Sequence, residues 1–237
     1  MNIKENYKER LFSITADRIY LEGDLVIPLQ AESLIILVHS TNKGRYSQSS
    51  QRIAAVLHQA GLATLIISLL TLHEEASDRN TKYLLFNANL LAERLGGATD
   101  WLSLYPATQG LRMGYFGSGI EAGAAILAAA KKPSRVGAIA CLGGRLDLAN
   151  AVLSNVQSPT LLMVAEDDAR AQHVNQDALE KIHAQKQLET IAGASYLSEN
   201  SEALNKVANL ATQWFKQYLV STEPIVEAQR IESFVKK

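Results

Sequence analysis

The sequence is poor in cysteine, in excess charge of either sign and in long apolar runs, which are the features of disulfide-rich, nucleic-acid-binding and membrane proteins. It contains a single cysteine, Cys141, so it can form no disulfide within the chain and no cysteine-based metal site. Its formal net charge of −1 leaves no basic excess to attract nucleic acid or an anionic membrane surface. The start, MNIKENYKER, lacks the apolar core of a signal peptide. The longest apolar runs, such as residues 62–70, are far shorter than the roughly 18 to 20 residues that span a bilayer. These absences predict a globular cytoplasmic protein with no nucleic-acid or membrane partner.

Apolar runs and amphipathic segments alternate along most of the chain, which is the pattern of a parallel α/β sheet. The runs predict strands at residues 33–38, 63–68, 111–116, 136–142, 160–164 and 187–191, with an antiparallel strand or bent hairpin at the sheet edge at 18–28. Helical spacing predicts helices at 48–59, 81–105, 120–130, 171–184 and 201–219. Gly96 and Gly97 are expected to break or kink the second helix, and residues 69–79 are expected to form a loop. The alternation favours one domain, residues 1–219, with helices on both faces of a mostly parallel, twisted sheet.

The stretch 111–130 is the most informative part of the chain. A short strand leads into a glycine turn at 117–119 and then into a helix of small residues, which is the arrangement of a nucleophile elbow. The elbow motif G-x-S-x-G places a serine at its apex. With Gly117 as the first glycine, the apex here is Gly119 and the closing glycine is replaced by Glu121. Ser118, which carries the hydroxyl of the turn, precedes the apex position by one residue.

Further motifs match one enzyme family along residues 18–219. They are Val38-His39-Ser40 after the first buried strand, QAGLATL at 59–65, GGRLDLA at 143–149, SPTLL at 158–162 and GASYL at 193–197. Together with the elbow, these segments resemble the dienelactone-hydrolase-type branch of the α/β-hydrolases. The resemblance implies an α/β-hydrolase fold with little or no cap domain.

The resemblance also implies where a catalytic triad would lie. Its acid corresponds to Asp168, with Asp167 one residue away, whereas its serine corresponds to Gly119 and its histidine to Tyr196. Tyrosine is a poor proton acceptor at pH 7, because the unperturbed pKa of a phenol is about 10. The oxyanion loop and the start of the elbow helix correspond to the three positions His39, Ser40 and Ile120. Two of three triad positions are therefore replaced.

Two functions remain open at this point. The first is a noncatalytic protein that binds a small molecule in the cleft or a protein partner. The second is a hydrolase of esters or lactones that uses Ser118 with Asp168 in a rearranged site. Ser118 can also be explained as a turn serine that caps the following helix.

Cofactor and metal sites have weaker support. Residues 117–122 satisfy the dinucleotide fingerprint G-x-G-x-x-G/A, but no acid follows at the end of the next strand, 140–142. The acidic turn 166–168 has no clustered histidine beside it, so a solvated turn is the simpler account. We predict no cofactor and no metal.

Residues 220–237 form a C-terminal extension in which apolar side chains recur at roughly helical spacing: Ile225, Val226, Ile231, Phe234 and Val235. An exposed stripe of this kind is uncommon on a soluble monomer. We predict that the extension is helical and forms a homodimer, with packing on its own domain as the alternative.

Overall fold

The computed structural model describes residues 7–16, 19–193 and 201–220. They form one sheet of eight strands: β1 (Tyr7–Ala16), β2 (Ile19–Ile27), β3 (Ser33–His39), β4 (Ala63–Ser68), β5 (Arg112–Ser118), β6 (Val136–Leu142), β7 (Thr160–Ala165) and β8 (Lys186–Ile191). Their order in the sheet is β1-β2-β4-β3-β5-β6-β7-β8. β3 to β8 are parallel, and β1 and β2 are antiparallel. The mostly parallel α/β sheet predicted from the sequence is thus confirmed.

The helices are α1 (Asn42–Arg45), α2 (Gln48–Gln59), α3 (Leu72–Ser77), α4 (Ala88–Leu104), α5 (Gly119–Lys131), α6 (Ala169–Lys181) and α7 (Ser201–Leu219), with a 3-10 segment at Leu146–Asn155. Strand side chains alternate between two apolar layers. Ile36 and Val38 belong to one layer, together with α4 and α5. Ile35 and Leu37 belong to the other, together with α2 and α7. Because the central strands are buried on both faces, their sequences are unbroken apolar runs.

The antiparallel edge is larger than the sequence predicted. The strand expected at 18–28 is present as β2, but β2 lies between β1 and β4. The edge position belongs to β1, whose residues alternate too weakly to have been predicted as a strand. β1 pairs with β2 along most of its length, and the backbone hydrogen bonds of this pairing form the strand although its sequence pattern does not predict one.

The prediction of a helix over 81–105 with a break at its glycines was wrong in two respects. The helix begins only at Ala88, where the Asn87 side chain accepts a hydrogen bond from Leu90 N. It then runs without interruption through Gly96 and Gly97 to Leu104. A Cβ on Gly96 would lie 2.8 Å from Lys132 Cε, so the glycine makes room for the side chain at the end of α5. The region expected as a loop at 69–79 contains α3.

None of the helices in the described ranges combines the length and apolar content that a membrane-spanning segment requires. Cys141 is buried in β6, and desolvation raises the pKa of its thiol to about 12. The C-terminal extension predicted at 220–237 lies outside the described residues, apart from Val220.

Candidate functional site

The carboxyl ends of β3 and β5 define the candidate site. These strands are neighbours, but the chain continues from β3 to β4 on one side and reaches β5 on the other. Loops that leave two such strands diverge, and ligands of open α/β sheets bind in the crevice between them. This topology predicts a binding crevice between the loop that begins at Ser40 and the elbow at Gly119.

The elbow is a direct passage from β5, which ends at Ser118, to α5, which begins at Gly119. Gly119 has a left-handed backbone with φ +53, which glycine adopts at little cost. A Cβ on Gly117 would lie 2.8 Å from Ala122 N, so β5 and α5 approach too closely for any side chain there. The elbow is also tied to the loop after β6, because Arg145 N donates to Gly119 O at 2.8 Å.

The apex has space for a side chain although it carries none. Among the described residues, a Cβ on Gly119 would have one neighbour within 4 Å outside the adjacent backbone, which is Glu121 Oε2 at 4.0 Å. These residues therefore leave room for a nucleophile and give no steric reason for the missing serine. The nearest described group to that position is a carboxylate.

Glu121 connects the elbow to the loop after β3. Its Oε1 accepts hydrogen bonds from Ser40 N at 3.0 Å and from Ser40 Oγ at 2.6 Å. In an active elbow of this fold, one oxyanion-hole donor is an N–H of the loop after β3, and the other is the N–H that follows the nucleophile. The Ser40 N–H, which the sequence assigned to that loop, is therefore occupied by a carboxylate of the protein itself.

The Ser40 loop is held by a buried arginine. Arg45 is fully buried, and its Nη2 donates to Glu22 Oε2, Asn42 Oδ1 and Tyr46 Oη at 2.7–2.8 Å. Its Nη1 lies 3.5 Å from Asp24 Oδ2. These contacts join α1 to β2.

The same loop is joined to α3 and α4. Asn42 donates from its backbone N and from Nδ2 to Glu75 Oε1, at 2.6 and 2.8 Å. The adjacent Glu74 forms an ion pair with Arg94 and completes the capping box with Thr71. Burial alone would raise the pKa of Glu74, but hydrogen bonds from Arg94 and Thr71 outweigh it and leave the pKa below its usual value. The loop that presents Ser40 is thereby fixed on two sides.

His39 is in a position to stabilise this loop, and neither ring nitrogen serves the elbow. Its Nε2 is 2.8 Å from Ser50 Oγ, and its Nδ1 lies against Gly44, where a Cβ would come within 2.8 Å. Desolvation lowers its pKa to about 4, so the imidazole is neutral at pH 7. The His39 side chain therefore packs against α1 and has a structural role.

Ser118 is the last residue of β5, with φ −125 and ψ 153, and lies outside the tight turn predicted for it. It occupies the N-cap position of α5, but its side chain makes no capping hydrogen bond, so the capping interpretation is wrong. No described side chain forms a hydrogen bond with its hydroxyl. Strand alternation places it on the face of Phe116, which packs in the layer of α2 and α7.

The described histidines other than His39 have separate surroundings. His58 Nε2 is 2.6 Å from Thr64 Oγ1, and His173 pairs with Asp177 at 3.4 Å on the exposed side of α6. His73 and His183 are exposed. In the described ranges, Ser118 therefore has no histidine hydrogen-bonded to it to take its proton.

Asp168, the predicted triad acid, is exposed at the start of α6, where its Oδ1 accepts a hydrogen bond from Ala171 N at 2.9 Å. This is the contact of an N-cap residue. Tyr196, at the triad's histidine position, lies outside the described residues. Within the described ranges, no group of three or more His, Cys, Asp or Glu side chains is arranged to hold a metal ion.

Comparison with known proteins gives the family. No protein-family model matches the chain. A crystal structure of dienelactone hydrolase from Anabaena variabilis is 44% identical and superposes with a TM-score of 0.87, over 91% of this chain and 100% of that chain. Est1E from Butyrivibrio proteoclasticus, 12% identical with a TM-score of 0.68 over 87% of this chain and 99% of that chain, shares the fold.

Two Mycobacterium tuberculosis proteins named "Putative phosphoribosyl transferase" are 37% identical over 211 residues, which is 89% of this chain. The match covers 47% of each relative, so the chain spans about half their length. The Anabaena enzyme, in contrast, is matched over its entire length at a level of identity that shows common descent. The chain belongs to the dienelactone hydrolase family of the α/β-hydrolases.

Proposed function

We propose that this chain is a noncatalytic member of the dienelactone hydrolase family that binds a small ligand in the crevice between Ser40 and Gly119. The observation that carries the proposal is the position of the Glu121 carboxylate. One of its oxygens accepts both Ser40 donors, and the other lies 4.0 Å from where the Cβ of a nucleophile would be.

The carboxylate opposes the charge that ester hydrolysis develops. Acyl transfer needs donors aimed at an oxyanion, and one such donor contributes about 3 kcal/mol to catalysis. A negative charge placed about 4 Å from a second one costs about 4 kcal/mol at an effective dielectric constant of 20. A carboxylate beside the apex would therefore disfavour the transition state that an oxyanion hole stabilises.

The Glu121 carboxylate also indicates which kind of ligand the crevice would bind. Within the described part of the chain, no group donates a hydrogen bond to Glu121 Oε2, so this oxygen is available to accept one from a ligand N–H or O–H group. An amine, an amide or a polyhydroxylated compound fits this crevice better than an acyl ester does. Uncharged compounds with several hydroxyl groups, such as ribose, are the first to test, because they offer donors to the carboxylate without adding a negative charge. The composition that predicts a cytoplasmic protein supports a role inside the cell, which we include in the proposal.

A fluorophosphonate probe tests the proposal. We expect no labelling of the purified protein and no turnover of short aryl esters. The triple variant Gly119→Ser/Glu121→Gly/Tyr196→His should gain labelling and some esterase activity, because it restores the nucleophile, frees Ser40 N–H and returns the base. The matched control Gly119→Ser/Glu121→Gly, without the histidine, should remain much slower.

The alternative is a hydrolase that acts through Ser118. The absence of a capping bond to its hydroxyl favours this alternative, since the group is free for other chemistry. Stoichiometric labelling of the wild-type protein at Ser118, abolished by Ser118→Ala, would establish it and overturn the noncatalytic proposal.

A further inference from the structure

A second cavity lies at the opposite end of the sheet from the crevice. It has a volume of about 460 Å³ and opens beside the amino ends of β5 and β6. Ligand cavities are typically between about 300 and 1,000 Å³, so its size suits a small organic molecule. β5 runs from Arg112 at this cavity to Ser118 at the elbow, which separates the two sites by about 20 Å at the rise of a β-strand.

Two arginines lie side by side at the cavity. Arg112 begins β5, and Arg135 directly precedes β6. The register pairs the next residues, Met113 with Val136, so the two arginines are adjacent across neighbouring strands. Both are exposed, and neither guanidinium forms an ion pair or a side-chain hydrogen bond with the described residues. Like charges at such positions destabilise a sheet unless something compensates for them.

The residues lining the cavity include no acid that could provide this compensation. The nearby lysines are already paired, Lys132 with Asp100 at 2.5 Å and Lys131 with Glu93 at 3.9 Å. The end of α5 has its own cap, because Lys132 N donates to two carbonyls of that helix. Glu32 lies next to Arg112, whose N donates to Glu32 O at 3.0 Å, but it is not part of the lining. Within the described residues the two guanidinium groups are therefore compensated by solvent, which an anionic ligand could replace.

The rest of the lining gives the cavity an apolar part and additional hydroxyl groups. Leu111 is partly exposed and contributes apolar surface, beside Met113 and Val136, which line the cavity but are nearly buried. Ser103 and Ser134 contribute hydroxyl groups. A ligand that carries one anionic group and a compact apolar portion would satisfy both parts.

We propose that this cavity binds an organic anion whose phosphate or carboxylate group lies between Arg112 and Arg135. The planar guanidinium presents paired N–H donors that match either group in a two-point hydrogen bond. The apolar portion of the ligand rests on Leu111, Met113 and Val136. The site is independent of the crevice at Glu121, so it does not depend on whether the crevice is catalytic.

Calorimetric titration of the full chain at low ionic strength tests this assignment, with phenyl phosphate, benzoate and phenol as probes. We expect one or both anions to bind and phenol not to bind. Binding of phenyl phosphate but not benzoate would assign a ligand with a phosphate group. Binding of benzoate but not phenyl phosphate would assign a ligand with a carboxylate group. Arg112→Gln and Arg135→Gln should each weaken anion binding about tenfold, the usual effect of removing one charged hydrogen-bond partner. Arg79→Gln, which changes an exposed arginine after α3, should leave binding unchanged.

Both arginines are exposed, so their glutamine variants are expected to fold, and urea unfolding checks this directly. In the wild-type protein, phenyl phosphate should also raise the melting temperature, an effect lost in the Arg112→Gln/Arg135→Gln double variant. Equal anion affinity in a folded double variant would overturn the proposal. Absence of anion binding by the wild-type protein at millimolar probe concentrations would also overturn it.

Discussion

The backbone of Gly119 determines what a side chain at the apex of the elbow would cost. A non-glycine residue in the left-handed region loses about 1 to 2 kcal/mol. At φ +53 this strain is the main penalty that the described residues impose, because the nearest of their side-chain atoms to an added Cβ is Glu121 Oε2 at 4.0 Å. We predict that Gly119→Ala lowers the free energy of unfolding by about 1 kcal/mol. Gly143→Ala is the matched control, with φ +55 and open space, and should lose a similar amount.

Gly117→Ala should be far more damaging, since its Cβ would meet backbone atoms of Glu121 and Ala122 at 2.8 Å. Urea unfolding of the three variants measures the series. If Gly119→Ala lost as much stability as Gly117→Ala, the apex would not be open.

His39 predicts a dependence of stability on pH. Its pKa falls from 6.5 to about 4 in the folded protein because burial disfavours the charged imidazole. The unfolded chain therefore binds the proton more readily, and stability is lost as the pH falls from about 6.5 towards 4. The loss is at most about 3 kcal/mol for this shift.

His39→Gln should remove this contribution. The free energy of unfolding, measured in urea at pH 7.0, 5.5 and 4.5, should fall more steeply in the wild-type protein than in the variant, since carboxylates contribute equally to both. Parallel pH profiles would show that His39 titrates normally in the folded state.

The residues of the site could be predicted from the sequence only where a motif names them. Gly119 and Glu121 occupy fixed positions of the elbow motif. Because Glu121 lies in the first turn of α5, the sequence also predicts that its carboxylate competes with a bound anion for the positive end of that helix. The contact of Glu121 with Ser40 spans 81 residues, and no local pattern encodes it. Arg45 is likewise unpredictable, because a charged residue in a polar loop is normally exposed, and its burial depends on carboxylates in β2.

At the scale of elements, α1 is held in place by Arg45 more than by its own four residues. Removing one partner of a buried ion pair typically costs about 3 to 5 kcal/mol. Glu22 is partly exposed, so we predict a loss of about 3 kcal/mol in the free energy of unfolding for Arg45→Met.

Hydrogen exchange should also become faster in residues 40–46 of the Arg45→Met protein. The control is Arg52→Met, because exposed Arg52 has one hydrogen bond, to Asn205 Oδ1 at 3.2 Å, and should lose less than about 0.5 kcal/mol. A loss as small as that of the control would contradict the role of Arg45 in holding the loop.

Elements were predictable where the period of apolar residues is strong. α7 begins and ends where its stripe does, and β3 and β4 are unbroken apolar runs that pair in parallel as expected. The predicted break in α4 is wrong, although glycine is a poor helix former. Its cost of about 1 kcal/mol per residue is small beside the burial of Leu91, Leu95 and Leu102 on the same helix.

At the scale of the whole molecule, the homodimer predicted through residues 220–237 stays a prediction. The apolar side chains of this segment need a covering surface, and a second subunit is one that could provide it. Light scattering at micromolar concentrations should show a dimer for the full chain and a monomer for a chain that ends at Ser221. Two monomers would contradict it and favour packing of the segment on its own domain.

The architecture as a whole was the most predictable level, because the alternation of strands and helices leaves few ways to build one sheet. The edge strand β1, which the sequence does not predict, shows where prediction of the architecture from sequence fails. Its pairing with β2 is satisfied by backbone groups, which any sequence without proline can supply.

The burial of Cys141 has a practical consequence for experiments in solution. A thiol whose pKa is about 12 and which has no exposed surface does not react with maleimides at neutral pH. The natural chain therefore already offers a background without a reactive thiol for site-directed labelling. A cysteine placed at position 119 would put a fluorophore or spin label in the open apex, and one at position 134 would put it at the arginine cavity. Each site could then report its own ligand without interference from the other.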